Sequence, residues 1–303
     1  MGVIKKVFIS GFKYDVNFTR TCVSSIREYY PLIPITLIKD KYYGDFYTND
    51  IEKHYNVDVM DVGNRVFSWG FAKLEPLFLP VKEKFLVLDS DTVILGKLLE
   101  FLDSFNHQFI VSGHKTELNF QSQQYYVPAE IEEFDKEFKH PGYGFNTGQF
   151  VATSGIFKRE DFNTLVDFNN PPVLKNTSLF RYGEQGLLNY FLYKNYQCEN
   201  ISLKNVPFMH TGDNPAVKNL TTENIRKNQF SPLVIHWAGM RNKNFNKMHS
   251  GWILNYFEKK YYSKIKFGFI LKKLRIFKLI LIDFTKNKIK YLRKLHMINF
   301  LHS

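Results

Sequence analysis

Two carboxylates stand one residue apart where an apolar run ends. In FLVLDSDTVILG, residues 85–96, Asp89 and Asp91 interrupt what otherwise reads as a buried strand. Carboxylates are almost never fully buried unless they are paired or ligate something. Side chains alternate along a strand, so Asp89 and Asp91 point the same way if extended geometry continues through Ser90. Two like charges side by side require a cation, and a hard divalent ion held by few carboxylates and shared with substrate phosphates, Mn²⁺ or Mg²⁺, suits these ligands. The plainer alternative is an acidic turn or a helix N-cap.

A second apolar run, 233–235, ends at His236, followed by Trp237-Ala238-Gly239 and then Met240-Arg241-Asn242-Lys243. A neutral imidazole can complete a divalent site, Gly239 lets backbone approach a phosphate, and Arg241 or Lys243 offsets pyrophosphate charge. Taken alone His236 is a half-buried structural histidine; beside Asp89 and Asp91 it becomes a third ligand from a distant strand. Gly144-Phe-Asn-Thr-Gly148, just before a strand-like run, reads as a polar turn whose amide, Asn146, suits hydroxyl groups. Glu184-Gln185 opens the helix-like EQGLLNYFL, where an acid also complements the helix dipole.

The elements that must position these residues alternate. Residues 7–10 read as a strand, 21–30 as a helix, 33–38 as a strand after a Pro-marked turn, 48–55 as a helix and 57–60 as a short strand. Residues 71–79 read as helical despite Pro76, and 85–88 as the strand that ends at Asp89. Alternation of this kind implies a mostly parallel sheet with helices on both faces, with ligands beyond the carboxyl ends of the strands. Residues 115–145 read as a long surface excursion, followed by a strand at 149–153, a helix at 184–192 and a strand at 233–235.

The chain of 303 residues, 44% hydrophobic and 17% aromatic, is long enough to bury a sizeable core and is not disordered in composition. Its two cysteines, Cys22 and Cys198, imply neither a disulfide framework nor a thiolate metal site, and the start MGVIKKVFISGF holds too short an apolar run for a secretory segment. Lys6 also departs from the myristoylation pattern. The expected compartment is the cytosol. Of 41 Lys and Arg and 29 Asp and Glu, 13 and one fall after residue 258, which leaves 28 of each before it. The body is neutral, and the net charge of +12 belongs to the tail.

LDSD at 88–91, FNTG at 145–148, EQGLLN at 184–189 and HWAG with Lys243 occur in the order and rough spacing of glycosyltransferases of the GT-A fold. Over roughly residues 5–250 the chain most resembles family 8, the retaining enzymes that include glycogenin and bacterial lipopolysaccharide glycosyltransferases. The resemblance implies a Rossmann-like α/β fold and a metal-dependent transfer of sugar from a nucleotide-sugar, usually a UDP-sugar, to a glycan acceptor. It implies Mn²⁺ on Asp89, Asp91 and His236, and Lys73 on the donor. The expected donor site is completed by Ile9 and Ser10 at the end of the first strand, Ser90, and Gly239. Asn146, Gln185 and Glu184 are expected near the sugar, with Glu184 the first candidate base if the enzyme inverts. The spacing from Gly239 to Lys243 is one residue longer than usual and Asn244-Phe245 stands where the family has Pro-Trp, so either Lys243 or Arg241 meets the diphosphate.

Residues 264–301 mix bases with Ile, Leu and Phe. In helical projection Lys264, Lys272, Arg275, Lys278, Lys286, Lys290 and Arg293 fall mostly on one side, opposite Phe267, Ile270, Leu274, Phe277, Leu281, Phe284, Leu292 and Leu295. No uncharged run spans a bilayer, so the expectation is a transferase domain at 1–258 and a basic amphipathic tail at 259–303 lying on an anionic membrane at its cytoplasmic face. The acceptor expected there is lipid-linked, such as a lipopolysaccharide core, O-antigen or capsule precursor. Packing on the domain or on a partner is the alternative for the tail. Nucleic acid is not expected, because the neutral body offers no basic groove. A nucleotidyltransferase would share the fold and the metal, but Ser10-Gly-Phe-Lys-Tyr-Asp15 has one glycine where a triphosphate loop needs several. A non-catalytic membrane adaptor would leave Asp89, Asp91 and His236 without a task.

Overall fold

The structure, a computed structural model, describes residues 2–68, 70–115, 125–240 and 243–300. The chain runs β1 (Lys6–Phe12), α1 (Val16–Tyr29), β2 (Ile35–Asp40), α2 (Asn49–Tyr55), β3 (Val57–Val59), a 3-10 segment (Phe71–Phe78), β4 (Lys84–Asp89), β5 (Thr92–Leu95) and α3 (Leu98–Asp103). It continues through β6 (Phe109–Lys115), α4 (Pro128–Phe134), β7 (Tyr143–Thr153), the small hairpin β8 (Val166–Asp167) and β9 (Val173–Leu174), and α5 (Glu184–Gln197). Then come β10 (Leu203–Asn205), β11 (Met209–Thr211), α6 (Pro215–Lys218), α7 (Thr222–Lys227), β12 (Leu233–His236), α8 (Gly251–Ser263) and α9 (Gly268–Phe300).

Seven strands form the central sheet in the order β10-β6-β7-β4-β1-β2-β3. Its pairs are parallel except where β7 runs antiparallel to both β4 and β6. Alternation along each strand divides the apolar side chains between two cores. Val7 and Ile9 of β1 and Leu86 and Leu88 of β4 enter one, with Cys22, Val23 and Ile26 of α1. Phe8, Phe85 and Val87 enter the other, with Leu187, Leu188 and Leu192 of α5. Each such side chain contributes about 1.5–3 kcal/mol on burial, so the register of the central strands is strongly specified. That register sets Ser10 beside Asp89 at the carboxyl edge of the sheet.

A second sheet, β11-β12-β5, continues the chain beyond Asp91. Here β12 pairs antiparallel with β5, with His236 opposite Thr92, and the Trp237 N–H donates to the Asp91 carbonyl at 3.0 Å.

Three expectations change. Helix α1 begins at Val16 rather than 21, because the Thr19 and Thr21 hydroxyls fold back onto the Asp15 and Asn17 carbonyls and the polar start is thereby satisfied. Residues 144–148 are not a turn before a strand but part of β7, where a register break between Val111 and Gly113 of β6 lets the strand continue. The excursion at 115–145 contains α4 and the first residues of β7, while 116–124 lie outside the described residues.

A boundary between 258 and 259 would cut α8, whose Ile253, Leu254, Phe257 and Tyr261 are fully buried and which packs on α1. The turn at 264–267 separates α8 from α9 instead. The start of α9 is docked: Arg275 and Lys272 pair with Glu258, the latter at 3.5 Å, and the Arg275 guanidinium lies 5.1 Å from the Phe245 ring centroid. Two of the expected lipid-facing bases are therefore engaged by the domain, and Lys264 sits over the Tyr55 ring. The side chains of Lys286, Lys290, Leu292, Arg293 and Leu295 lie outside the described residues. Phe269 and Leu274 within these first turns, and Phe277, Leu281 and Phe284 beyond them, are exposed. Among the described residues no helix is long and apolar enough to cross a membrane.

Candidate active site

Strand β4 delivers Asp89 to the sheet edge, and the one-residue turn through Ser90, whose N–H donates to the Ser10 carbonyl at 3.0 Å, turns Asp91 toward β5. Because β12 is zipped to β5, His236 arrives against both acids: its Nε2 lies 3.1 Å from Asp91 Oδ1 and 3.9 Å from Asp89 Oδ2. One ligand atom from each of the three residues lies within 4.8 Å of the others. Burial works against both charges of the His236–Asp91 pair, but their mutual attraction and hydrogen bond outweigh it. Asp91 is held below the usual carboxylate range and His236 above the usual imidazole range. A metal would have to displace that proton. His236 Nδ1 is buried without a hydrogen-bond partner among the described residues.

Gly148 makes this geometry possible. A Cβ there would lie 2.2 Å from His236 Cε1, closer than any real contact, so only glycine lets β7 pass beside the imidazole.

Behind the acids lies a buried ionic network. Lys73 Nζ sits 2.6 Å from Glu184 Oε1 and 3.1 Å from Asp89 Oδ1, and the Thr147 hydroxyl donates to Glu184 at 2.8 Å. Burial opposes the Lys73 ammonium, but Asp89 and Glu184 together outweigh it and raise its pKa. One cation thus serves two carboxylates. Glu184, the more buried of them, is pushed above its ordinary range by burial first, with Asp89 adding and Lys73 opposing. Gly70, at φ +81°, is required here as well, since a Cβ would fall 2.3 Å from the Glu184 carboxyl carbon.

Asp89, Asp91, Lys73, Glu184 and Gly70 line a cleft of about 240 Å³ together with Ser10, Ser90 and Gln185. Gln185 Oε1 is buried and lacks a hydrogen-bond partner among the described residues, so an acceptor atom stands ready for a ligand hydroxyl. Asn146 is turned onto its own backbone instead, its Oδ1 accepting the Gly148 N–H at 2.7 Å. Ile9 is fully buried in the core and gives the cleft no side chain. Gly239 has φ +70° in an exposed turn, and a Cβ placed there would meet nothing within 4 Å among the described residues. Arg241 lies outside the described residues.

Lys243 is present beside the cleft, paired with Asp15 and stacked 5.1 Å from the Phe18 ring. Asp15 is a residue that motif reading misses, as are Asp40, Phe12 and Tyr182, all of which line the cleft. Burial raises the Asp15 carboxyl to about 6, with Lys243 opposing and Asp91 and Asp89 adding to the shift. Asp40 closes β2 as Asp89 closes β4, an acid at a strand's carboxyl end, and that signal is present in the sequence. Asp15 gives none, since its partner lies 228 residues away.

Solved structures share this architecture. The bifunctional glycosyltransferase WbbM is similar over 90% of this chain, at TM-score 0.58 and 16% identity, although the chain spans only 52% of that protein. The galactosyltransferase LgtC, solved with donor and acceptor sugar analogs, is similar over 85% of this chain and 95% of its own, at TM-score 0.55 and 16% identity. GlyE of Streptococcus pneumoniae TIGR4 is similar over 92% of this chain and 64% of its own, at TM-score 0.51 and 15% identity. At these identities the likeness shows the GT-A fold alone. No curated protein sequence matches the chain. The model of glycosyl transferase family 8 matches residues 72–247, a stretch that holds Lys73, Asp89, Asp91, Glu184, His236 and Lys243, and the chain belongs to that family of glycosyltransferases.

Proposed function

We propose that this glycosyltransferase moves a sugar from a UDP-sugar to a glycan acceptor with retention of configuration, using a divalent ion, Mn²⁺ or Mg²⁺, held by Asp89, Asp91 and His236. The observation that carries this reading is the cluster of those three side chains, of which Asp89 and Asp91 line the cleft. Two carboxylates and an imidazole suit such an ion, and the ion when bound supplies Lewis-acid neutralisation of the departing diphosphate.

The chain's own residues do the rest. Lys73 pairs with Asp89 at 3.1 Å and so fixes the position of its carboxylate. Lys243 lies where it can leave Asp15 for a phosphate oxygen, a fixed cation aimed at charge that grows as the bond breaks. Gln185 Oε1 offers its free acceptor lone pairs to a sugar hydroxyl, which orients the donor. Glu184 is a poor general base: Lys73 and Thr147 already claim its carboxylate, and it is 3% exposed. That occupancy favours retention, in which the leaving phosphate itself takes the acceptor proton.

We place the enzyme at the cytoplasmic face of a membrane, where a transferase domain ending near 263 carries α9 as its lipid-facing element, and the acceptor is a lipid-linked glycan of a bacterial surface polysaccharide. The exposed Phe269, Leu274, Phe277, Leu281 and Phe284 and the tail's excess of positive charge support this.

Calorimetric titration of UDP, with Mn²⁺ and with chelator, tests the site. Mn²⁺-dependent binding that Asp91→Asn weakens by about a hundredfold is expected, the scale of losing a ligand contact to a buried charge. Absence of binding by UDP and by GDP under every condition would overturn the reading.

A further inference from the structure

A second pocket of about 620 Å³ adjoins the donor cleft. Tyr182 belongs to both walls, and Gly70 and Tyr182 of the cleft are followed in the chain by Phe71 and Gly183 of the second pocket. The chemistry of the two differs. Four acids and Lys73 line the cleft besides Glu184, whereas the second pocket is walled mainly by Phe71, Phe180, Leu174, Val173 and the Pro171-Pro172 pair, with Tyr42, Ser68 and Thr177 beside them and Arg181 its one charged residue among the described residues. Such a lining does not suit a diphosphate or an acidic sugar; it suits a group with no charge and little capacity for hydrogen bonds.

The ridge between the pockets is conformationally costly. Tyr182 has φ +57° and Gly183 φ +60°, so two successive residues have positive φ and only the second is a glycine. They are held there by the Arg181 N–H donating to the Tyr125 carbonyl at 2.7 Å and by the Gly186 N–H donating to the Arg181 carbonyl at 3.2 Å. The result presents the Tyr182 ring, 56% exposed, between the two pockets. Backbone held in such sparsely populated conformations clusters at ligand-binding and active sites.

We propose that this pocket is the aglycone subsite of the acceptor: it binds an uncharged alkyl or aryl group attached to the acceptor sugar, while the sugar itself lies over Tyr182 with its hydroxyl toward the donor cleft. This rests on the sugar-transfer reading above and adds the chemical class of the acceptor's second half. It makes the enzyme selective for acceptors whose sugar is followed by an apolar group, and poor with free sugars.

The test compares methyl and n-hexyl β-D-glucopyranoside, both well below micelle-forming concentrations, by ligand-observed NMR on the full chain loaded with UDP and Mn²⁺. The hexyl glycoside binds at least about tenfold more tightly, since each buried methylene strengthens apolar contact. Val173→Asp, at a position already 46% exposed, and Thr177→Trp, which fills the exposed mouth of the pocket, each abolish that advantage while leaving UDP binding unchanged. Phe269→Ser with Phe277→Ser on α9 leaves the advantage intact, which separates the pocket from the exposed helix. Equal binding of the two glycosides, or a hexyl advantage that survives both pocket variants, overturns the proposal. Loss of UDP binding in the wild-type protein instead sinks the parent reading, and that outcome is measured in the same samples.

Discussion

Gly148 carries no side chain because the His236 imidazole already occupies the space. Gly148→Ala therefore pushes the imidazole off Asp91 without removing any ligand. The expected loss of Mn²⁺-dependent UDP affinity is about 10–100-fold, the usual effect of disturbing a ligand's surroundings, with an unchanged far-UV spectrum. Asp15 has a different signature. Its folded pKa of about 6 lies above the unfolded value near 3.8, so the native state binds the proton more tightly. The stability this residue lends is complete below about pH 4 and falls as pH rises toward 6, by up to about 3 kcal/mol. Asp15→Asn removes the penalty, so the variant should gain on the wild type between pH 4 and 7 in denaturant unfolding; a gap that stays constant with pH would refute the assignment. Asp15 does not announce itself in the sequence, and Gly148 stands there only as the last residue of a turn-like FNTG, with no sign of the imidazole it makes room for. Asp89, Asp91 and His236 are legible because each ends an apolar run, a local signal, whereas Gly148 and Asp15 are explained only by side chains that the fold brings from 88 and 228 positions further on.

Helix α9 reads from its sequence as a free basic amphipath, yet its first turns serve the domain. Glu258, whose side chain is 1% exposed, depends on Arg275 and Lys272 to offset its charge. Arg275→Ala leaves that carboxylate underpaired and should destabilise the protein by roughly 2–4 kcal/mol, short of the full loss of a buried pair because Lys272 remains. Lys278→Ala, on an exposed stretch of the same helix, should change stability by less than about 0.5 kcal/mol. Denaturant midpoints decide, and equal effects would mean that α9 does not dock. A periodicity plot cannot foresee this, since a helical wheel shows which residues share a face and not that an acid waits beneath two of them. The start of β7 escapes sequence reading for a related reason. Tyr143–Thr153 begins with a Gly- and Asn-rich segment that local chemistry assigns to a turn, and the pairing with β6 and β4 overrides that preference. The strands β1, β2 and β4 are readable because burial on both faces writes itself as a continuous apolar run.

Taken whole, the molecule joins a neutral body to a positively charged tail, and the alternating pattern of the first 90 residues is enough to give its layered α/β class. The membrane proposal is tested at this scale. Full-length protein should sediment with phosphatidylglycerol vesicles at low salt, release progressively as ionic strength rises, and ignore phosphatidylcholine vesicles. The pair Phe269→Ser and Phe277→Ser should weaken sedimentation by about tenfold or more, from the apolar area withdrawn from lipid. Equal binding to neutral vesicles would rule out the electrostatic part.

The strand that carries His236 pairs with β5, and the contact it makes with Asp91 closes a loop of 145 residues. Contacts so distant in the chain form slowly, because loop closure must precede any gain from pairing. During refolding the helical signal should therefore return before the protein can hold a nucleotide in the presence of cation. A ligand that recognises only the finished cluster also draws the equilibrium toward it by mass action. The cation and nucleotide would thus act as a late lock on the fold, and their absence would lengthen the time this chain spends with β12 unpaired and its edge open to other strands.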